Sequence, residues 1–315
     1  MQEFAKRTDF TLLVPTYNEE INVNKLYEAT RPSLDRIQNA GFTVKWLFID
    51  NSSSDNTYGL LKEMYALDSR ISAISWVRNY GIGISVYNGF LVSNSKCSMV
   101  FDCDLQDPPD LINSLFDEWC NGNQFVYGVR ISRNESSRLR VMRKIFRLVA
   151  KILGGNGRGE VESGSWLLDE KVIEDLRLNP PNSEYLAGTL WNRAFKSSRI
   201  EYNRNQRILG TSKFNFRRYL SYAIDGIIGD NKTLLRLTFY IAIATWLIST
   251  TLMALLLISK VTGLYDISAG ITSTAVIVNL YGLAILFSLG LLNEFVRRIF
   301  FNSARIPTAV PYKFF

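Results

Sequence analysis

Two aspartates separated by one residue, Asp102 and Asp104, are well suited to chemistry. They follow a short apolar run, Ser98–Phe101, and precede the sequence LQDPP. If this run is a strand whose extended backbone continues through residue 104, alternate side chains point to one face, so both carboxylates can approach one ion. Hard oxygen ligands suit Mg²⁺ or Mn²⁺, which bridge protein carboxylates to a substrate diphosphate. The spacing therefore predicts a divalent metal site at this pair.

The chain contains no histidine. Any proton transfer would therefore fall to a carboxylate. The need for a base depends on the nucleophile of the reaction. If the nucleophile is a phosphomonoester, no base is needed, because its second pKa is about 6 and it is mostly a dianion at neutral pH. It needs instead to be positioned and shielded from other negative charges, which basic side chains and a divalent cation can do.

Apolar runs alternate with helical stretches over the first hundred residues. Strands are predicted at Phe10–Val14, Val44–Ile49, Ile71–Val77 and Ser98–Phe101, and helices at Glu19–Ala40, Thr57–Leu67 and Tyr87–Asn94. Such alternation predicts a parallel sheet, whose ligands bind beyond the carboxyl ends of the strands. Five polar residues fall at those ends: Asn18, Glu19, Asp50, Asp102 and Asp104.

The composition changes in the last quarter of the chain. Two uncharged, mostly apolar runs, 237–258 and 271–292, are each long enough to cross a hydrocarbon core of about 30 Å. Basic residues flank the pair on both outer sides, so the positive-inside rule places both ends in the cytoplasm. We therefore expect a cytoplasmic domain over 1–231, two transmembrane helices within 232–294 and a cytoplasmic basic tail over 295–315.

The formal charge of +7 is partly concentrated on one segment. Basic residues without acidic ones alternate with apolar residues at helical spacing near 138–153, and a second amphipathic stretch lies near 214–228. Such helices bind anionic membrane surfaces with about 1 kcal/mol per basic residue, although an ordinary surface helix has the same pattern. No nucleic-acid-binding motif is present, so nucleic acid is not expected as a partner.

Cysteine usage and the first residues indicate the compartment. The three cysteines are odd in number and lack paired spacing, which favours a reducing environment. The first residues do not have the pattern of a signal peptide. We therefore expect the first domain to remain in the cytosol, anchored to the cell (inner) membrane.

Several motifs carry a resemblance to a known family. In order, the chain reads VPTYNEE, FIDNSSSDNT, VRNYG, FDCDLQDPPDLI and YGVR, and later RILGTSKFN and YAIDGI. This order resembles that of family-two GT-A glycosyltransferases. DLQDPP together with two late apolar spans is similar to the polyprenyl-phosphate branch, which includes bactoprenol glucosyltransferases and dolichyl-phosphate mannose synthases. The resemblance implies an α/β, GT-A (Rossmann-like) domain with a mixed, mostly parallel sheet, followed by amphipathic interface helices and a two-helix transmembrane hairpin.

The resemblance also implies roles for particular residues. The donor nucleotide sugar is expected to bind eight residues: Pro15, Tyr17, Asn18, Glu19, Asp50, Asp102, Arg207 and Lys213. Asp102 and Asp104 would hold Mg²⁺ or Mn²⁺, and Arg130 and Arg133 would bind the acceptor phosphate. Catalysis is expected to involve Asp104, Gln106, Arg130 and Glu162.

The sequence departs from the family pattern at several places. The family usually has two acids after the second strand, whereas this chain has Asp50 and Asn51. Where relatives carry Gly-Asp-Phe, this chain reads Gly164-Ser165-Trp166, and Glu162 is the nearest candidate to replace the missing carboxylate. The usual Glu-Arg-Asn segment is also absent. These departures bear on the sugar preference.

The combined pattern predicts an inverting glycosyltransferase at the cytoplasmic membrane face. It would transfer a hexose, with glucose from UDP-glucose as the leading choice, to undecaprenyl phosphate. One alternative is transfer of the dolichyl-phosphate mannose synthase type, from GDP-mannose. A processive polysaccharide synthase is disfavoured, since no QxxRW string follows the sheet. A non-catalytic membrane scaffold with a degenerate glycosyltransferase domain is the alternative from another class, and homo-oligomer formation is left open.

Overall fold

The computed structural model describes residues 7–130, 165–181, 193–203, 270–303 and 309–314, with single positions between these ranges. The described residues fall into two compact units. The first contains the residues up to 203 together with 309–314, and the second contains the helix of residues 270–303.

The first unit is built on a sheet of eight strands among the described residues. In chain order they are β1 (Thr8–Thr16), β2 (Val44–Asp50), β3 (Ile71–Trp76), β4 (Ser95–Val100), β5 (Phe125–Arg130), β6 (Trp166–Asp169), β7 (Ser197–Tyr202) and β8 (Pro311–Phe314). Their spatial order is β7-β5-β6-β4-β1-β2-β3-β8. Strands β6 and β8 run antiparallel to their neighbours, and the remaining pairs are parallel. The prediction of a mixed, mostly parallel sheet is confirmed.

Helices cover both faces of the sheet. They are α1 (Val23–Asn39), α2 (Thr57–Leu67), α3 (Ile82–Val92), α4 (Asp110–Cys120) and α5 (Glu170–Leu178), and α6 (Gly270–Ser303) forms the second unit. Alternate residues of β1 enter two different cores: Leu12 packs with α1, α2 and α4, and Leu13 packs with α3 and α5. Burial on both faces explains why the central strands read as continuous apolar runs.

The predicted elements of the first hundred residues are present, with shifted ends. The largest difference is α3, which begins at Ile82 instead of Tyr87. Glycine is a poor helix former, so the glycines at positions 81 and 83 obscured this start in the sequence. Gly81 takes φ +85° directly before the helix, a conformation that glycine adopts without strain.

The segment predicted as a basic tail, 295–315, contains parts of two regular elements. Helix α6 continues to Ser303, and Pro311–Phe314 then pairs with β3 as the edge strand of the sheet. A four-residue strand whose partner lies more than 230 positions earlier has no local signal in the sequence. Val77 supports the pairing, because its backbone N–H donates to the carbonyl of Val310 over 3.1 Å.

The membrane-related predictions are only partly covered by the described residues. Helix α6 includes the second apolar run, 271–292. Within the described part of the chain, no helix combines the length and the apolarity needed to cross a membrane. The run 237–258 lies largely outside the described residues, and the amphipathic stretches near 138–153 and 214–228 lie entirely outside them.

Candidate active site

The loops after β1 and β2 are joined by hydrogen bonds at the carboxyl edge of the sheet. The backbone N–H of Asn18 donates to Ser53 Oγ (2.9 Å), and the N–H of Ser54 donates to Asn18 Oδ1 (2.8 Å). The N–H of Glu19 donates to Thr57 Oγ1 over 2.9 Å. Asn18 has φ +56°, a left-handed conformation that asparagine tolerates better than most residues. The predicted donor loop is therefore fixed against the loop that follows β2.

The residues predicted for this first loop differ in exposure. Pro15 lies within β1 and is half-buried, whereas Tyr17 is exposed. Asn18 and Glu19 are half-buried. A flat aromatic ring at the surface beside polar groups can stack on a ligand such as a nucleotide base.

Asp50 ends β2 as a buried carboxylate with fixed orientation. Its Oδ2 accepts a 2.6 Å hydrogen bond from Ser75 Oγ, and its Oδ1 accepts one from the backbone N–H of Ser53 (3.2 Å). The pKa of the nearby Tyr58 hydroxyl is raised, mainly by burial and to a smaller extent by the Asp50 charge. Lys313 of β8 lies with its Nζ 5.6 Å from the centre of the Tyr58 ring. The sequence did not identify Lys313 as a neighbour of this region.

The Asp-Cys-Asp motif lies in a turn and not in extended backbone. Strand β4 ends at Val100, and Cys103 and Asp104 form a turn. Leu105 then has φ +53°, which is an uncommon and strained conformation for a bulky residue. The N–H of Gln106 donates to Asp104 Oδ1 over 3.2 Å. The predicted strand alternation is therefore wrong here, because a tight turn redirects the chain before the second aspartate.

Three carboxylates lie within electrostatic range of the buried thiol of Cys103. Burial raises its pKa well above the ordinary value, and the charges of Glu19, Asp104 and Asp102 raise it further, in that order. Burial acts to lower the pKa of the Arg130 guanidinium, but Tyr202, Asp107 and Asp102, in that order, raise it overall. Glu19, Asp102 and Asp104 therefore lie within electrostatic range of Cys103, and Asp102 also lies within range of Arg130.

The acidic pair fits a divalent cation that is shared with a substrate. Across the part of the chain that the structure describes, no group of three or more acidic, histidine or cysteine side chains could hold a metal alone. Mg²⁺ is commonly held by one or two carboxylates together with substrate phosphates. Asp102 and Asp104 have this donor chemistry, and both are half-buried. They are the residues that would hold Mg²⁺ or Mn²⁺.

A second polar cluster joins β5, β6, β7 and the loop after β4. We call it the Asp107 cluster, and its members are Asp107, Arg130, Ser165 and Tyr202. Ser165 Oγ donates a 2.7 Å hydrogen bond to Asp107 Oδ2, and both side chains are buried. Arg130 Nη2 lies 3.8 Å from Asp107 Oδ1, and its Nε donates to the Tyr202 hydroxyl over 3.2 Å. The predicted residue Arg130 is thus held by two residues that the sequence prediction did not name.

Ser165 stands at one departure from the family pattern and contacts Asp107. A carboxylate at this position would lie against the Asp107 carboxylate, and two buried carboxylates in contact cannot both be ionised at low cost. The serine instead donates a hydrogen bond to it. Glu162, Arg133, Arg207 and Lys213, which were also predicted to act in the site, lie outside the described residues.

The chain is similar in sequence to several known proteins. The family model described as glycosyl transferase family 2 matches residues 11–185, which is more than half of the chain. The chain is 26% identical to an uncharacterized glycosyltransferase of Bacillus subtilis, over 98% of this chain and 95% of that protein. It is also 26% identical to the bactoprenol glucosyl transferase of Shigella phage SfV, over 94% of this chain and 96% of that protein.

Solved structures support the fold. Glucosyl-3-phosphoglycerate synthase from Mycobacterium tuberculosis, in a complex with Mn²⁺, uridine diphosphate and glucosyl-3-phosphoglycerate, superposes with a TM-score of 0.51. The alignment covers 73% of this chain and 79% of that chain at 18% identity. At this identity the likeness supports a GT-A-like α/β fold.

Proposed function

The chain belongs to glycosyl transferase family 2, and we propose that it transfers glucose from UDP-glucose to undecaprenyl phosphate, with inversion, at the cytoplasmic membrane face. The relatives named bactoprenol glucosyl transferase support the choice of sugar and acceptor. Their alignments extend over 94% of this chain, so the similarity continues far beyond the residues matched by the family model.

The observation that carries the proposal is the presence of acidic and basic groups at one edge of the sheet. Asp102 and Asp104 follow β4, and Arg130 ends β5, which runs parallel to β4 with β6 between them. The Asp102 charge acts on the Arg130 guanidinium. A donor diphosphate at the acidic pair and an acceptor phosphate at Arg130 would therefore lie next to each other.

The proposed reaction is one direct displacement. An oxygen of the acceptor phosphate forms a bond to the anomeric carbon, and the bond from that carbon to the donor diphosphate breaks, so UDP leaves with both electrons. A bound Mg²⁺ or Mn²⁺ would neutralise negative charge on the departing diphosphate. Arg130 would hold the acceptor phosphate with its planar set of N–H groups. No general base is required, which fits Ser165 in place of the usual aspartate.

A polyprenyl acceptor requires catalysis at a membrane, because its hydrocarbon chain does not leave the bilayer. We propose that the apolar runs 237–258 and 271–292 span the membrane and that both ends of the pair are cytoplasmic. The amphipathic stretches near 138–153 and 214–228 would bind its surface. The apolar composition of the two runs and the distribution of basic residues around them support this topology.

Substitution of Asp104 tests the proposed chemistry. In detergent-solubilised protein, Asp104→Asn should lower metal-dependent formation of glucosyl-phosphoryl lipid by about 100-fold or more, because loss of a metal ligand removes several kcal/mol of charge stabilisation. Product mass and anomeric configuration identify the sugar, the lipid and the stereochemical course. Asp117→Asn is a matched control, since this exposed acid on α4 pairs with Arg36 away from the site.

Several results would overturn the proposal. Near-normal turnover by Asp104→Asn would remove the acidic pair from the mechanism, and a retained anomeric configuration would exclude the single displacement. A panel of nucleotide sugars that yields product only with GDP-mannose would replace the glucose assignment. If no nucleotide sugar protects the protein from unfolding in the presence of Mg²⁺ or Mn²⁺, the scaffold alternative is favoured.

A further inference from the structure

Arg130 and Tyr202 lie side by side at the ends of two paired strands. Strands β5 and β7 are parallel, and their last residues, Arg130 and Tyr202, are direct register partners. The Nε–H of Arg130 donates to the Tyr202 hydroxyl over 3.2 Å. Only 14% of the Arg130 side chain is exposed. Both partners of this hydrogen bond thus lie at the ends of strands.

Asp107 completes the support of the guanidinium from the loop after β4. Its fully buried carboxylate lies 3.8 Å from Arg130 Nη2 and accepts a hydrogen bond from Ser165. Burial, followed by the Asp107 charge, raises the pKa of Tyr202 to about 12. The tyrosine hydroxyl therefore keeps its proton at neutral pH and remains a neutral partner of Arg130.

This arrangement restricts the motion of a side chain that is otherwise flexible. Arginine has many rotamers, and ordering them on binding a ligand reduces affinity. In the described part of the chain, the hydrogen bond to Tyr202 fixes the Nε edge of Arg130, while Asp107 faces Nη2. A guanidinium has five N–H donors, so the Nη1 edge can still bind a phosphate.

We propose that Tyr202 is a positioning residue that, together with Asp107, aims Arg130 at the phosphate of the lipid acceptor. This inference rests on the proposed function, in which Arg130 binds that phosphate. Tyr202 acts through Arg130 and does not itself contact the substrate. The cluster therefore sets acceptor affinity separately from donor affinity.

A double-mutant cycle tests this role in the full-length protein. The variants are Tyr202→Phe, Arg130→Ala and the double mutant, assayed with undecaprenyl phosphate and UDP-glucose. Tyr202→Phe keeps the ring in the core and removes only the hydroxyl. We expect it to raise the acceptor KM by about 3- to 10-fold while changing the donor KM by less than about 2-fold. In the Arg130→Ala background, the same substitution should have no further effect.

Two further variants separate positioning from stability. Asp107→Asn keeps the shape of the side chain and removes its charge, so it should also raise the acceptor KM selectively. Tyr27→Phe is a matched control: this α1 tyrosine packs its ring on Trp46 and donates from its hydroxyl over 2.8 Å to Asp68, which directly follows α2. It should lower the unfolding midpoint and leave both KM values unchanged.

The possible outcomes separate this inference from the proposed function. If Arg130→Ala impairs both substrates equally, the acceptor role of Arg130 in the proposed function is wrong. The double-mutant cycle still tests the positioning role of Tyr202. The effect of Tyr202→Phe is then compared on the kinetic constant that Arg130→Ala changes. Additive effects of the two substitutions, or a Tyr202→Phe variant that leaves unchanged the kinetic constant altered by Arg130→Ala, would overturn the role of Tyr202.

Discussion

The side-chain amide of Asn51 donates a 2.9 Å hydrogen bond to Oδ1 of Asn79. The same Asn79 oxygen accepts from the backbone N–H of Gly81 (2.9 Å), and Asn51 Oδ1 accepts from the N–H of Tyr80 (2.9 Å). The loops after β2 and β3 are therefore joined by two asparagines. Asn51 stands where the family usually has a second acid, and here its donor group is used.

We predict that Asn51→Asp weakens this junction. The carboxylate keeps an acceptor for Tyr80 but loses the donor and faces the Asn79 oxygen. If the Asn79 amide rotates to donate, the N–H of Gly81 loses its acceptor. The expected loss is about 1–3 kcal/mol in the free energy of unfolding, together with weaker nucleotide-sugar binding. Denaturant titration and calorimetry measure these two quantities.

Asn79→Asp is the control for this prediction. A carboxylate at position 79 can still accept from both Asn51 and Gly81, so the stability and the donor affinity should change little. The diagnostic result is a loss of stability and donor affinity in Asn51→Asp that Asn79→Asp does not show. Equal losses in both variants would show that the direction of this hydrogen bond is unimportant.

We further predict that Ser165→Asp makes stability depend on pH. The new carboxyl would contact the buried carboxylate of Asp107, so the folded state favours a protonated pair. The folded protein then binds more protons than the unfolded chain, and stability falls as the pH rises above about 4. The expected loss at neutral pH is about 1–3 kcal/mol. Unfolding free energies measured from pH 4 to pH 8 report it.

Ser165→Asn has the size of the aspartate variant without its charge. It measures the cost of placing a larger side chain in a buried position and should show no added pH dependence. The prediction depends on the difference between the two variants in how the free energy of unfolding changes with pH. Parallel profiles for the two variants would contradict a shared proton between positions 107 and 165.

Lys45 is a buried cation near the start of β2, and its burial predicts another pH effect. Only 7% of the residue is exposed, and burial lowers its pKa from 10.5 to about 8. The folded state therefore disfavours the charged form, at a cost of up to about 3 kcal/mol below pH 8. This cost decreases as the pH rises from about 8 to 10.5, so stability should increase over that interval.

Lys45→Met removes the charge and keeps an unbranched chain of similar length. We expect the variant to be more stable than the parent at pH 7 by up to about 3 kcal/mol, and the difference to shrink towards pH 10. Denaturant titrations at both pH values provide the comparison. If the difference does not change with pH, the ammonium group is adequately solvated in the folded protein.

The sequence predicted the features that depend on neighbouring residues. Strands β1 to β4 were visible as apolar runs, and Asp102 and Asp104 were identified by spacing and motif. The partners of Arg130 were not, because Tyr202 is 72 positions away in the chain and meets it only through the pairing of β5 with β7. The extended backbone predicted at Asp104 was wrong because the turn depends on a strained φ at Leu105, a residue without turn preference.

The pairing of β8 with β3 also imposes an order on biosynthesis. Strand β3 is translated early, but its outer edge can be covered only after the ribosome has produced more than 200 further residues, including all of α6. Until then its unpaired backbone groups are available to other nascent chains. Truncation before β8 should therefore yield aggregation-prone fragments even when every residue of β1 to β7 is present.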